Sequence, residues 1–439
     1  MALSTFRRVP LEVVEHIANY TLDSVPPFGY SPLLALIKTS RVCHAAGTRV
    51  LYRAIHIGPY SPAPILETLA ANVDYAKRVR SVWLFAPQRD VVPGHGDDFE
   101  NRLLEAFANL TLVRALHVAH GCEDLLLGLA TIPLPLLRAV HFDKFGPRAA
   151  AFIANYPQLE FVDIDYTPRH AQNLPLPFLA NLSVFRGACS LAALLCHATQ
   201  PLTHLQLTEE DDSHGASRVF ASLDPVSTLR AVSIDHFSWD QELMGALSRA
   251  APNLISIAVE VRDWPTHKVL EESSDDISER EAFVESVASA LPTMRHLFHV
   301  DINHALHMPV DGELPRAGDS AAQFQKHMQQ LDYEAAWVHR WGAAAPVLGV
   351  CTLLAARWWR LEDNTWTPMT MFTDPEMAGH VSSWTRARRT AAELIQTAAA
   401  GIRRWEEIRV GASDFARRLK GLQALQAASG QDFEVRFCV

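Results

Sequence analysis

The chain has 439 residues, 49% hydrophobic and 20% charged, with a formal net charge of -10. That composition excludes a disordered chain and is long enough for a large core or several stacked units. The acidic balance speaks against nucleic acid as a partner, because phosphate recognition favours a basic stripe.

Six cysteines, Cys43, Cys122, Cys189, Cys196, Cys351 and Cys438, are scattered without a CxxC pair. Buried or free thiols in a reducing compartment are expected. The first eight residues contain no apolar h-region, so no secretory signal is expected. The longest small and apolar run, residues 343–356, is too short to span a bilayer and contains Pro346. A cytoplasmic or nuclear location with no membrane partner follows.

In chain order, residues 9–57 read as a small helical unit. Val9-Pro10 puts proline in the first turn of a helix carrying Leu11, Val14, Ala18 and Leu22 at helical spacing. Pro26, Pro27 and Gly29 stop it. Ser31-Pro32 opens a second helix with Leu33, Leu36 and Ile37 on its apolar side, and a third starts near Thr39. Residues 51–57 then alternate as a strand leading outward.

From there a pattern returns: a large apolar residue, two others, an apolar residue, one other, an apolar residue. Val79…Val82…Leu84 is the first strand of the array, and further copies begin at Val113, Leu137, Leu159, Leu182, Leu202, Leu229 and Leu254. From Val113 onward the intervals fall between 20 and 27 residues. Helical stretches precede several copies, and Pro157, Pro201 and Pro252 mark their ends. Later copies are expected at Met294…Leu297 and Leu348…Cys351…Leu353, with a β-hairpin through Trp358, Asn364 and Trp366 as an end cap. The acidic run 271–281 reads as a solvated loop ending in a Ser278–Glu281 capping box. Residues 383–407 read as a long helix, followed by a shorter helix and a final strand near Phe433 to Val439. Residues 386–439 are locally basic, which a solvated helical face accounts for.

The period is that of leucine-rich repeats. The asparagine or cysteine that usually follows each repeat strand is missing, with Gly121, Phe145, Thr167, Phe237 and Arg262 in its place. The expected fold is therefore α/β: a helical unit over residues 1–58, an irregular leucine-rich-repeat solenoid over 59–378, and C-terminal helices with a terminal strand over 379–439.

The opening Val9-Pro10-Leu11-Glu12, the apolar stretch from Leu33 to Cys43 and the Leu51-Tyr52-Arg53-Ala54-Ile55 segment resemble an F-box. Val9 stands where that family usually has leucine, and the tryptophan that often follows the middle stretch is absent. F-box proteins often carry leucine-rich repeats. The resemblance implies binding to the Skp-type adaptor of a cullin–RING ubiquitin ligase, through Val9, Pro10, Leu11, Ile17, Leu36, Ile37 and Val42. Substrate protein would be held by outward residues of the strands, such as Arg114, Arg138, Glu160, Asp163 and Arg230. In that role the chain is not an enzyme and needs no cofactor; it supplies proximity.

Two other readings of the same sequence remain. The helical unit could be a cap on a protein-interaction scaffold with no ligase connection, which predicts no exposed apolar face on residues 1–58. The chain could also be a metal-dependent enzyme using His299 and Asp301, since His-x-Asp with a distant histidine is part of a non-haem iron triad. His304 and His307 lie nearby, and His117-x-x-His120-x-Cys122 is the other metal-like spacing. Both spacings are common by chance in a chain with 20 histidines. His117 sits between Leu116 and Val118, so it points away from its strand's buried face.

Overall fold

Three helices open the chain where the sequence places their caps: α1 (Leu11–Asp23), α2 (Ser31–Ile37) and α3 (Arg41–Leu51). The Ser40 hydroxyl accepts the Cys43 amide at 3.1 Å and starts α3. Val14, Cys43 and Ala46 form one buried cluster, and Ala18, Leu33 and Val50 another. Gly47 lets α2 and α3 close up, since a Cβ there would stand 2.5 Å from Ile37 Cγ1.

This computed structural model describes residues 10–23, 31–58, 63–85, 96–167, 174, 176–209, 215–236, 239–261, 274–304, 321–354, 356–360 and 364–368. The chain divides into two compact units, the first running through Asn181 and the second from Leu182. The proposed segment 379–439 with its terminal strand, the loop at 24–30 and Cys438 lie outside the described residues.

In the first unit five parallel strands follow in sequence order: β1 (Ala54–Ile57), β2 (Ser81–Leu84), β3 (Ala115–Val118), β4 (Ala139–Lys144) and β5 (Phe161–Tyr166). Between them stand α4 (Ala63–Ala71), α5 (Val73–Ala76), α6 (Gly96–Ala108), α7 (Leu126–Leu129) and α8 (Pro147–Ala154). Each apolar triplet of the sequence is the inner face of one strand: Leu137, Val140 and Phe142 are buried, as are Leu159, Val162 and Ile164. Helices α4, α6, α7 and α8 pack in succession, a single layer against that face.

The second unit repeats the scheme with β6 (Val184–Ala188), β7 (His204–Thr208), β8 (Ala231–His236), β9 (Ser256–Val261), β10 (His299–His304) and β11 (Val350–Leu354), all parallel. Its helices are α9 (Cys189–Leu195), α10 (Gly215–Ser222), α11 (Leu243–Ala250), α12 (Ser274–Ala290) and α13 (Ala321–Ala344). Two antiparallel strands, β12 (Ala356–Arg360) and β13 (Trp366–Pro368), finish it as the predicted hairpin. Asn364 takes a left-handed φ of 65° in the turn, which asparagine tolerates. Trp358 is fully buried and donates its indole N–H to Glu334 at 3.0 Å.

The expected architecture is corrected. The chain does not form a helical F-box-like unit followed by an irregular leucine-rich-repeat solenoid. Among the described residues it forms two α/β units, with five parallel strands in the first and six in the second, interspersed with helices. Helices α1–α3 run straight into β1, which pairs with β2 inside the first unit. The alternate strand positions, expected to line an open face, are buried at Trp83, His141, Asp163, Asp301 and Thr352. The period misled because any parallel strand pair needs a crossover of a dozen or more residues, commonly a helix. A spacing in the twenties therefore marks β–α units without specifying a solenoid.

Two local expectations also shift. The strand placed at Met294…Leu297 is β10, three residues later, with Leu297, Val300 and Ile302 as its buried triplet. Helix α12 begins at Ser274, so Ser278 and Glu281 lie inside it and are no cap. In place of an asparagine ladder, side chains reach carbonyls of the preceding turn. Asn109 donates to Leu69 and Ala70, Tyr156 to Ile132 at 2.7 Å, and Asn253 to Ser227. The five described cysteines are buried. Among the described residues no helix is long and apolar enough to cross a membrane.

Buried His204 on β7 gives a stability prediction. Its Nδ1 lies 2.9 Å from Thr203 Oγ1, and burial pulls its pKa down to about 4. An unfolded histidine titrates near 6.5, so below that pH the unfolded chain takes up a proton that the folded one refuses. The site is neutral to stability above about pH 6.5 and costs stability as pH falls toward 4, about 2 kcal/mol by pH 5. Urea midpoints at pH 7 and pH 5 should differ more for the native chain than for His204→Gln; equal differences would remove His204 as the cause.

Candidate functional site

Two surfaces of the first unit carry chemistry that its packing does not consume. The first is on the opening helices. Of the residues proposed for adaptor contact, Ile17 is 42% exposed and Pro10 is exposed. Leu11, Leu36, Ile37 and Val42 are half-buried and pack on the clusters beneath. Val9 lies outside the described residues. Two apolar residues not singled out from the sequence join Ile17: Val13, one helical turn before it and 47% exposed, and Leu34 on α2 at 43%. Their signal was readable as a second apolar stripe on α1, offset from the buried Val14–Ala18 stripe.

The second surface is built by register. Parallel pairing sets His56 beside Trp83, Trp83 beside His117, His117 beside His141, and His141 beside Asp163. Neighbouring strands lie about 4.8 Å apart, so such a row stacks its side chains. The Trp83 and His117 rings are 4.0 Å apart between centroids, and those of His117 and His141 also 4.0 Å, 13° from parallel. Phe85 lies alongside the row, 6.1 Å from His56 and 6.2 Å from His117.

Where the row meets β5 the side chains become acidic. Asp143 Oδ1 lies 3.0 Å from His117 Nε2 and 3.1 Å from His141 Nε2. Asp165 Oδ2 is 3.5 Å from His141 Nε2, and buried Asp163 Oδ2 is 2.8 Å from His141 Nδ1. The His120 amide donates to Asp143 Oδ2 at 3.0 Å. Gly121, with a φ of 89°, turns the chain so that its own amide donates to Glu123.

This arrangement splits the two imidazoles electrostatically. Burial presses His141 toward neutrality, but its contacts with Asp143 and Asp163 and the nearby Asp165 charge outweigh it, so its pKa is raised to about 9. Burial also lowers His117, and there the balance stays on the low side. Asp143 pays for burial too, yet His117, His141 and the His120 amide hold its carboxyl well below the usual carboxylate range. At neutral pH the cluster is an imidazolium between carboxylates, with a neutral imidazole stacked on it.

The other sequence candidates are placed as follows. His117-x-x-His120-x-Cys122 does not assemble: His120 is turned out to Glu123 at 3.1 Å and Cys122 is buried, its thiol pushed up to about 12 by burial. His299 Nδ1 lies 2.9 Å from Ser256 Oγ, and Asp301 is 1% exposed. Among the described residues no third ligand joins His299 and Asp301. The side chain of His304 and the whole of His307 lie outside the described residues.

Of the residues proposed for substrate contact, Arg114 is exposed. Arg138 Nε pairs with Glu160 at 3.2 Å. Arg230 donates to the Ser227 and Asn253 carbonyls, a turn-capping role. Asp163 is 3% exposed and turned to His141.

The buried and the exposed carboxylates around His141 should behave differently. Asp163→Asn is expected to cost about 1.5–3 kcal/mol at pH 7, the worth of a hydrogen bond to a charged group. Asp165→Asn, at a side chain 47% exposed, should stay within about 1 kcal/mol. Urea unfolding of both variants checks this, and equal losses would contradict the described geometry.

No known family model matches the chain, and no curated protein matches its sequence.

Proposed function

We propose that this chain is a substrate-recognition subunit that docks through α1 and α2 on the Skp-type adaptor of a cullin–RING ubiquitin ligase, in the cytoplasm or nucleus. The observation that carries the reading is the exposed apolar stripe of Val13 and Ile17 on α1, with Leu34 exposed on α2, outside already formed helix clusters. A helical cap serving only to shield the sheet would turn those side chains inward, as Val14, Ala18 and Leu33 are turned. The face lies within the segment that resembles an F-box, and this favours the adaptor over a protein scaffold without ligase connection. Substrate would be met by exposed side chains such as Arg114 at the strand ends. Bond making would belong to other subunits, with this chain supplying proximity and orientation.

Calorimetric titration of a Skp-type adaptor into the full chain should give sub-micromolar affinity. Val13→Glu combined with Ile17→Glu should weaken it at least tenfold, about 1.4 kcal/mol. Thermal stability should stay nearly unchanged, because both sites are surface positions. Absence of binding by the folded native chain, or undiminished binding by the double variant, would remove the adaptor reading.

A further inference from the structure

We propose that His117, His141 and Asp143 form a binding site for one first-row divalent transition cation of the Zn2+ class. The donor atoms would be His117 Nε2, His141 Nε2 and Asp143 Oδ1, which lie within 4.8 Å of one another. They come from two adjacent strands, and their spacing is the first support. A tetrahedral ion with bonds of about 2.0–2.1 Å holds its donors about 3.3–3.4 Å apart. The separations here are 3.0 Å and 3.1 Å from Asp143 to the two imidazoles. The His117 and His141 rings are nearly parallel. Sharing one ion requires them to tilt toward each other about Cβ–Cγ, a soft torsion for an imidazole.

The second support is the buried carboxylate behind His141. Asp163 is 3% exposed and its Oδ2 stands 2.8 Å from Nδ1, a buried counter-charge on the far side of the ring from Nε2. A carboxylate behind a ligating histidine is the usual orienting partner of such a site. The donor chemistry selects the ion. Two imidazole nitrogens suit Zn2+, Co2+ and Ni2+, whereas Ca2+ and Mg2+ require oxygen throughout. Three protein donors leave the fourth position of a tetrahedron to solvent, and the ion would tie β3 to β4. Asp143 is 32% exposed, which leaves an entry path.

The test uses the full chain after treatment with a chelator. Titration with Zn2+, followed by calorimetry, should show one equivalent bound and a higher melting temperature. Co2+ should give the intense visible absorption of a tetrahedral N/O site, bleached on adding Zn2+. Ca2+ and Mg2+ should leave that absorption unchanged. His117→Gln and Asp143→Asn should each lower affinity at least tenfold, and Asp163→Asn by about 10–100-fold as a positioning residue. Asp165→Asn changes an exposed carboxylate outside the donor set and should alter Zn2+ affinity by less than tenfold. Several outcomes overturn the proposal: a folded native chain that binds no equivalent of Zn2+ or Co2+, affinity undiminished in both His117→Gln and Asp143→Asn, or equal binding of Mg2+.

Discussion

In-register parallel pairing is the constraint on which the rest of this structure depends. Each strand of the first unit pairs residue for residue with the next, so a side chain type repeated at one position of successive β–α segments becomes a physical column. On the helix side the columns are apolar: Val82, Leu116, Val140 and Val162 form one, and Leu84, Val118, Phe142 and Ile164 another. These bury enough apolar surface to hold the sheet to its helix layer. On the opposite side the same register builds a column of His56, Trp83, His117, His141 and Asp163. Ring stacking there and the acidic end at β5 are consequences of a spacing that the apolar columns enforce.

The strand-entry residues obey the same logic. Arg53, Arg80, Arg114 and Arg138 each immediately precede a strand of the first unit, and backbone amides connect them in order. Stacking like charges at strand spacing is unfavourable unless the guanidinium groups find acceptors. Arg80 reaches the Lys77 and Val79 carbonyls, and Arg138 pairs with Glu160, where the column changes sign. In the second unit Arg230 does the same for Ser227 and Asn253. Residues that looked like free recognition side chains are thus partly committed to closing turns, a task the missing asparagine ladder would otherwise perform.

Much of the local structure was legible in the sequence because its causes are local. The Ser40 cap, the helix beginning after Pro10 and the hairpin at Asn364 follow from turn and cap chemistry within a few residues. The Met294 strand was misplaced by three residues: Met294 and Leu297 fit only the first two positions of the pattern, with His299 at the third, whereas Leu297, Val300 and Ile302 fit all three. The open solenoid was inferred from a period that parallel β–α units share, and burial of the alternate positions is a tertiary property that no period encodes. On α1, the exposed Val13–Ile17 stripe was half seen, since Ile17 was named and Val13 was not.

The cluster at Asp143 was missed for a related reason. Sequence proximity suggested joining His117 with His120 and Cys122, but a chain leaving a strand through Gly121 carries those two residues away from the sheet. The residues that do meet His117 lie 24 and 26 positions further on, at His141 and Asp143, one β–α segment later. Aligning the segments by their apolar triplets and reading down the middle position gives Trp83, His117, His141 and Asp163 directly. In a parallel sheet with strands in sequence order, chemistry is written at the period of the repeat unit rather than within one motif. The electrostatic outcome follows from the same column: the imidazole at its acidic end is held as a cation, while its stacked neighbour, one strand further from β5, is left to burial and stays neutral.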